Sequence, residues 1–254
     1  MRLIDHYGAD GWGDEPTTDL LHRQLVARDV LAARLADRPG TADRPGMAAR
    51  VLDVGCGDGS FLEHLAARIG DRRVSYVGVD YSEYQLAKAA RLPYEFHKCD
   101  LGEGIPLPDG SVDLVHAAEI IEHLYDPDLL IEECARVLRP GGHLVVTTPN
   151  LHAWYNRVLF LVGMQPIFHE TSTRSTEVGA GVLRRFKRDS RPVGHLRLFN
   201  RAALIDLLRR EGFDTVEIRG ARFHGVPRAL RWLDTALCVR PTMSSILVVV
   251  AVKH

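Results

Sequence analysis

Three glycines at alternate positions, Gly55, Gly57 and Gly59, punctuate "VLDVGCGDGSFLEHL" (51–65), where an apolar strand-like run meets a helical one. Glycine is required where the backbone turns left-handed or where a ligand comes flush against the main chain. A strand entering a helix through such a turn also aims helix N-terminal amides at a site beyond the strand end. The spacing G-x-G-x-G differs from the G-x-G-x-x-G of dinucleotide sites, and the G-x-x-x-x-G-K-[ST] of a phosphate-cradling loop is absent. Carboxylates mark three successive strand ends: Asp53 in "VLDVG", Asp80 in "YVGVDYS" and Asp100 in "HKCDL". Three acids would repel a pyrophosphate, whereas a ligand with an ammonium, a ribose and an adenine suits them. Asp80 is placed to accept from both ribose hydroxyls. Asp100 is placed to meet an exocyclic amine, with the Leu101 amide beside it.

A second reactive group follows. Glu119, Glu122 and His123 fall in "EIIEHL", spaced so that one helical turn brings all three to one face. His152 in "TPNLHAW" and His195 in "VGHLRLF" come later. A histidine titrates near neutral pH and can take the proton of a hydroxyl nucleophile. His123 is the first choice for that task. The cluster also has the composition of a metal site, and carboxylate-plus-imidazole ligation suits manganese, iron or zinc better than magnesium. The expectation carried forward is that Glu119 and His123 order the loop or act as acid and base, with no metal.

These residues need elements to hold them. Apolar runs predict strands over 51–54, 74–79, 94–98, 112–117 and 143–148, and helical spacing predicts helices over 17–38, 60–69, 82–91 and 126–138, the last closed by "RPGG". Strands alternating with helices predict an α/β, doubly wound, mostly parallel sheet covered on both faces. Beyond Asn150 the alternation falters. "LHAWYNRVLFLVG" reads as a helix and 164–194 as irregular. "NRAALIDLLRREG" reads as a helix capped by Asn200, and "FDTVEIRG" and "SSILVVVAVK" as two further strands.

The pattern resembles the class I S-adenosylmethionine-dependent methyltransferases. The matching stretches "VLDVGCGDG", "GVDYS", "HKCDL", "DGSVDLVHAAEIIEHLYDP" and "RVLRPGGHLVVTTPN" cover residues 50–150 in family order. The resemblance implies a Rossmann-like sheet of seven strands, its antiparallel last strand supplied by "SSILVVVAVK", and S-adenosylmethionine as cofactor. It implies that Gly55, Cys56 and Gly57 lie against the methionine part, that Asp80 binds ribose, that Asp100 and Leu101 frame adenine, and that Tyr81 packs on the adenine ring. Asp53 and Glu119 are assigned to the same cofactor site, and Glu119, His123 and His195 to catalysis.

"E-x-x-E-H-L" is shared with two kinds of relative. It resembles ubiquinone-biosynthesis-type O-methyltransferases, and also enzymes that methylate the terminal 2′-hydroxyl of small RNAs, in which two Glu and two His hold a divalent ion. Tyr155 and Asn156 add likeness to the RNA enzymes, whereas downstream only His195 is on offer. Generic small-molecule methyltransferases are a further likeness, through Pro149-Asn150, Trp154, Arg157, "LVGMQP" and "HLRLF"; they place acceptor-covering elements in this stretch. One methyltransferase domain over 1–254 is expected: an N-terminal helical cover (1–45), a cofactor-binding core (50–150), an acceptor-side insertion or lid (151–199), and a C-terminal helix with the last two strands (200–254). The expected activity is methylation of a small molecule, on oxygen. The alternatives are a metal-dependent RNA terminal 2′-O-methyltransferase and an N- or C-methyltransferase of a natural product.

Composition bounds the partners. With Lys+Arg 32 against Asp+Glu 33 over 254 residues, the formal charge of -1 gives no global pull toward nucleic acid or anionic membrane. The local run Arg174, Arg184, Arg185, Lys187, Arg188 and Arg191 would draw an anionic acceptor, although a solvated face is its plainer reading. Tyr7 and Trp12 are placed to line an acceptor pocket, and Trp232 and Leu233 to form an amphipathic cover helix whose apolar surface would serve a homodimer. The first residues have no apolar leader core, and no apolar run reaches bilayer length, which predicts a cytoplasmic protein without a membrane span. Cys56, Cys99, Cys134 and Cys238 fall in apolar patterns and read as buried thiols.

Overall fold

The computed structural model describes residues 21–36, 48–70, 73–186 and 192–254. Seven strands form one sheet: β1 Ala49–Val54, β2 Val74–Asp80, β3 Glu95–Lys98, β4 Val112–Ala118, β5 Leu138–Pro149, β6 Phe213–Ala221 and β7 Ile246–Lys253. The helices are α1 His22–Ala36, α2 Ser60–Ile69, α3 Glu83–Ala89, α4 Pro127–Val137, α5 Trp154–Leu161, α6 Arg201–Arg210 and α7 Arg231–Cys238. The strand order is β3-β2-β1-β4-β5-β7-β6, parallel from β3 to β5, with β7 antiparallel to both β5 and β6. The chain reverses its strand order between β1 and β4, so the carboxyl ends of β1, β2, β4 and β5 open on one crevice.

Alternation along the central strands builds two cores. On one face Leu144, Val146, Leu247 and Val249 pack with Leu130, Ile131 and Cys134 of α4 and with Leu204 and Leu208 of α6. On the other, Val145, Val248 and Val250 pack with Val30 and Leu31 of α1 and Leu62 and Leu65 of α2. Strands buried on both faces read as continuous apolar runs, as β7 does.

The element boundaries follow local chemistry. Ser82 caps α3 through Gln85 N, Asp126 caps α4 through Leu129 N with Pro127 in its first turn, and Asn200 caps α6 through Ala203 N. "RPGG" does not separate α4 from β5 as expected. The strand begins at Leu138, and the four residues bulge out of it, because Leu138 pairs with Val112 while His143 already pairs with Leu114. Of the helix expected over 17–38, residues 17–20, 37 and 38 lie outside the described residues, as do Tyr7 and Trp12.

Candidate functional site

The glycine turn is built from the backbone outward. Gly55, Gly57 and Gly59 all have positive φ, at 73°, 53° and 76°. Gly55 N and Cys56 N both donate to Val79 O, at 2.8 and 3.1 Å. A Cβ on Gly55 would come within 2.3 Å of Ile120 Cδ1. The Asp80 carboxylate then stitches the turn to the start of α3: Gly57 N donates to Oδ2 and Ser82 N to Oδ1, each at 2.8 Å. Burial pushes the Asp80 carboxyl above its ordinary value, and these amide bonds oppose it.

One cavity of ≈1590 Å³ lies beyond the strand ends. Gly55, Asp80, Tyr81, Asp100, Leu101, Glu119, His123 and His195 all line it, as does Glu122. Asp53, Cys56 and Gly57 do not line it. Asp53 is buried behind the turn, where its Oδ1 meets His116 Nδ1 at 2.8 Å, and His116 stacks on Phe61 at 3.9 Å. The side chain expected at the cofactor is therefore engaged beneath it. His152 is exposed and away from the cavity.

Glu119, Glu122 and His123 do not share one helical turn. Glu119 has φ 54°, the one positive value on a non-glycine among the described residues, and the chain then enters a short 3₁₀ turn, Ile121–His123. Strain of this kind persists where surrounding bonds over-determine it. Glu119 N donates to Thr147 O at 2.9 Å, its Oε1 accepts from Thr147 Oγ1 at 2.9 Å, and its Oε2 lies 3.4 Å from Arg23 Nε of α1. The kink sends Glu119 toward α1 and Glu122 into the interior. There Thr148 Oγ1 donates to Glu122 Oε2 at 3.0 Å. Burial pushes the Glu122 carboxyl well up, and the nearby Glu119 charge adds to this.

His195 reaches the cluster from the insertion. Leu196 N and Arg197 N donate to Glu122 O at 2.8 and 3.1 Å, and His123 Nδ1 donates to Gly194 O at 3.1 Å. The two imidazoles lie 4.8 Å apart by ring centroids. Glu170 holds this loop: its carboxylate accepts from Val193 N, Gly194 N and His195 N, at 2.8, 2.7 and 3.0 Å. Burial pushes His195 below its ordinary pKa, which the Glu170 charge opposes. Sequence reasoning missed Glu170, Arg23 and Gly78. A Cβ on Gly78 would meet Cys56 Sγ at 2.6 Å and Phe96 at 2.7 Å, and the signal was a glycine inside an apolar strand.

Part of the cavity wall is apolar. Trp154, Val158 and Leu159 of α5, Ile167 and Phe168 of the insertion, and Phe223 and Leu230 before α7 line it. Asp234 pins α7 there, accepting from Trp154 Nε1 at 3.0 Å and Ser245 Oγ at 2.8 Å. Trp232, expected on an amphipathic helix, is 70% exposed. In the basic run, Arg184 pairs with Glu177 at 2.6 Å and Arg174 is exposed. Lys187, Arg188, Arg191 and the Arg185 side chain lie outside what is described.

A family model described as a methyltransferase domain matches residues 21–218. A "Probable S-adenosylmethionine-dependent methyltransferase" of Mycolicibacterium smegmatis is 34% identical over 201 residues, 78% of this chain and 61% of that protein. A ubiquinone biosynthesis O-methyltransferase of Chelativorans sp. is 34% identical over 133 residues, 50% of this chain and 51% of that one. The chain thus spans 51% to 61% of the length of these relatives. The crystal structure of magnesium protoporphyrin IX methyltransferase from Synechocystis with bound S-adenosylhomocysteine shares the fold, with a TM-score of 0.56 at 17% identity, covering 92% of this chain and 84% of that one.

Proposed function

The chain belongs to the class I S-adenosylmethionine-dependent methyltransferases, and from that premise we propose that it methylates a small-molecule acceptor on oxygen. S-adenosylmethionine is its cofactor, and the residues fit it. Gly55 presents bare backbone to the cavity, and each Asp80 oxygen spends one lone pair on an amide, which leaves the other for a ribose hydroxyl. Tyr81 and Leu101 offer apolar surface to adenine, and Asp100 an acceptor. When bound, S-adenosylmethionine supplies an electrophilic methyl: a C–O bond forms, the C–S bond breaks with its electron pair left on sulfur, and the hydroxyl proton is released.

The observation that carries the acceptor reading is the meeting of His123 and His195 in the same cavity as Asp80 and Gly55. Their task is to receive that proton. Burial lowers the His195 pKa, which favours the neutral imidazole that a base requires. The apolar walls of α5 and the insertion exclude water and seat a hydrophobic acceptor. The ubiquinone-type O-methyltransferase among the relatives supports oxygen as the atom methylated.

A cytoplasmic location belongs to the same reading. Among the described residues no helix is long and apolar enough to cross a membrane, and four free, buried cysteines suit a reducing compartment. The expected division into cover, core, insertion and C-terminal part is retained as a proposal, with 151–199 as the acceptor-covering segment.

Calorimetry with S-adenosylhomocysteine on wild type and Asp80→Ala tests the cofactor cradle. Loss of the carboxylate should weaken binding by about 2–4 kcal/mol, and equal affinity in the two proteins would remove Asp80 from the site. Paired hydroxyl and amine acceptors on one aromatic skeleton, followed by radiolabelled methyl transfer, test the acceptor atom. Only the hydroxyl member should be labelled, and His123→Ala should lower turnover far more than cofactor affinity.

A further inference from the structure

Five consecutive residues, Val193 to Arg197, are each tied through the main chain to a group outside their own stretch. Val193 N donates to Glu170 Oε1 at 2.8 Å, and Gly194 N and His195 N donate to Glu170 Oε2 at 2.7 and 3.0 Å. Gly194 O accepts from His123 Nδ1 at 3.1 Å, and Leu196 N and Arg197 N donate to Glu122 O at 2.8 and 3.1 Å. Successive amides aimed at one point form a nest for an anion, and Gly194, at φ 85°, supplies the left-handed residue that such a turn needs. Glu170 is that anion. The stretch lies outside any helix or strand, so these bonds set where its side chains point. Of the five residues Val193 and His195 line the cavity, and His195 alone brings a titratable group there.

The imidazole is gripped from the same side. His195 Nδ1 meets Phe168 O at 3.2 Å, and the Phe168 ring stands edge-on to it at 5.8 Å. A carbonyl can only accept, so Nδ1 carries the hydrogen and Nε2 the electron pair. Phe168 therefore fixes the tautomer of His195, and Glu170, two residues on, fixes its main chain.

We infer that Glu170 is the positioning residue of the site: it holds His195 at the cavity, and its charge steadies the imidazolium formed when His195 takes the acceptor's proton. This rests on the reading of His195 as a base and names the group that makes it one. A carboxylate behind a catalytic histidine commonly binds the ring itself. Here it acts through the backbone and through its field.

The titratable neighbours of His195 come from two elements. The segment between β4 and α4 brings Glu119, Glu122 and His123, and the insertion brings Glu170. Burial lowers the His195 pKa, and the Glu170 charge leads the influences that oppose it, ahead of the Phe168 carbonyl and Glu119. Glu122 is wholly buried and pushed well above its ordinary value, and Glu119 is held by Thr147 and Arg23. Glu170 is thus the charge whose loss His195 should feel most.

The test titrates the imidazoles by NMR in the full chain saturated with S-adenosylhomocysteine, the His195 signal being the one missing from His195→Ala. Glu170→Gln removes a negative neighbour, which disfavours imidazolium, so the His195 midpoint should fall by about 1 pH unit. Glu170→Asp keeps the charge at shorter reach, so its midpoint should stay nearer to wild type while kcat falls. With the aromatic hydroxyl acceptor, Glu170→Gln should lower kcat about 100-fold and move the acid limb of the pH profile down with the midpoint. Affinity for S-adenosylhomocysteine should hold. A purely structural residue would lower the thermal midpoint and leave the limb in place. That result, or wild-type kcat in Glu170→Asp, would overturn the inference. His195→Ala separates the two readings: wild-type turnover there removes His195 as the base, whereas an inactive His195→Ala beside an unaltered Glu170→Gln removes Glu170 alone.

Discussion

At the scale of single residues, the outcome depended on whether a side chain's partner lay nearby in sequence. Asp80 was legible because its partners, the glycine turn and Ser82, are local or follow from the strand order. Asp53 was not, because its partner His116 stands 63 positions away on β4. Glu170 left no trace in the sequence at all, being one acid in an irregular stretch that closes on amides 23 to 25 positions later. Glu133 shows the same kind of reach. Its carboxylate accepts from Arg136 Nε at 2.8 Å and from Ile105 N at 2.6 Å, and Arg136 pushes its pKa below the ordinary glutamate value. Lowering the folded-state pKa makes the unfolded chain bind more protons as pH falls, so this contribution is present above about pH 4.3 and lost below it. Urea midpoints measured down the pH scale should therefore fall more steeply for wild type than for Glu133→Gln, and parallel curves would refute the assignment.

At the scale of elements, helices and strands were well marked because each is buried on a face with its own period. α2 and α6 lie where their apolar spacing and caps put them, and β7 stands out as an unbroken apolar run. What the patterns could not convey is how elements distant in sequence lock together over the cavity. α7 is amphipathic, yet the anchor is Asp234, which is 2% exposed and holds Trp154 of α5 and Ser245 before β7. Asp234→Ala should cost about 2–4 kcal/mol by leaving both donors buried without an acceptor. Asp234→Asn, which keeps one acceptor oxygen, should cost less, and equal urea stabilities for the two variants would argue against the anchor. Acceptor KM should rise in Asp234→Ala while cofactor affinity holds, because Asp234 fixes Trp154 on the apolar wall of the cavity and touches neither Asp80 nor the glycine turn.

At the scale of the whole molecule, the doubly wound order brings five parallel strand ends to one crevice, and the two late strands close the sheet away from it. The parallel, doubly wound part of this plan was readable from alternation, and the antiparallel last strand from the family resemblance, whereas the meeting of "EIIEHL" with His195 required the insertion to fold back by main-chain bonds. α7 and its C-terminal end leave apolar surface outside: Trp232 and Val239 are 70% and 80% exposed. The expected homodimer would bury them. Sedimentation velocity should find wild type as a dimer and Trp232→Ser as a monomer, and a monomeric wild type would end that proposal.

The four buried thiols sit in four separate parts of this plan: the glycine turn, the end of β3, the middle of α4 and the last turn of α7. Burial pushes each of them up from its ordinary pKa, Cys99 and Cys238 to about 11. An alkylating reagent can thus reach each sulfur only when its own neighbourhood comes apart. The rates at which the four are modified make a ready-made clock of breathing, region by region, in the unaltered chain.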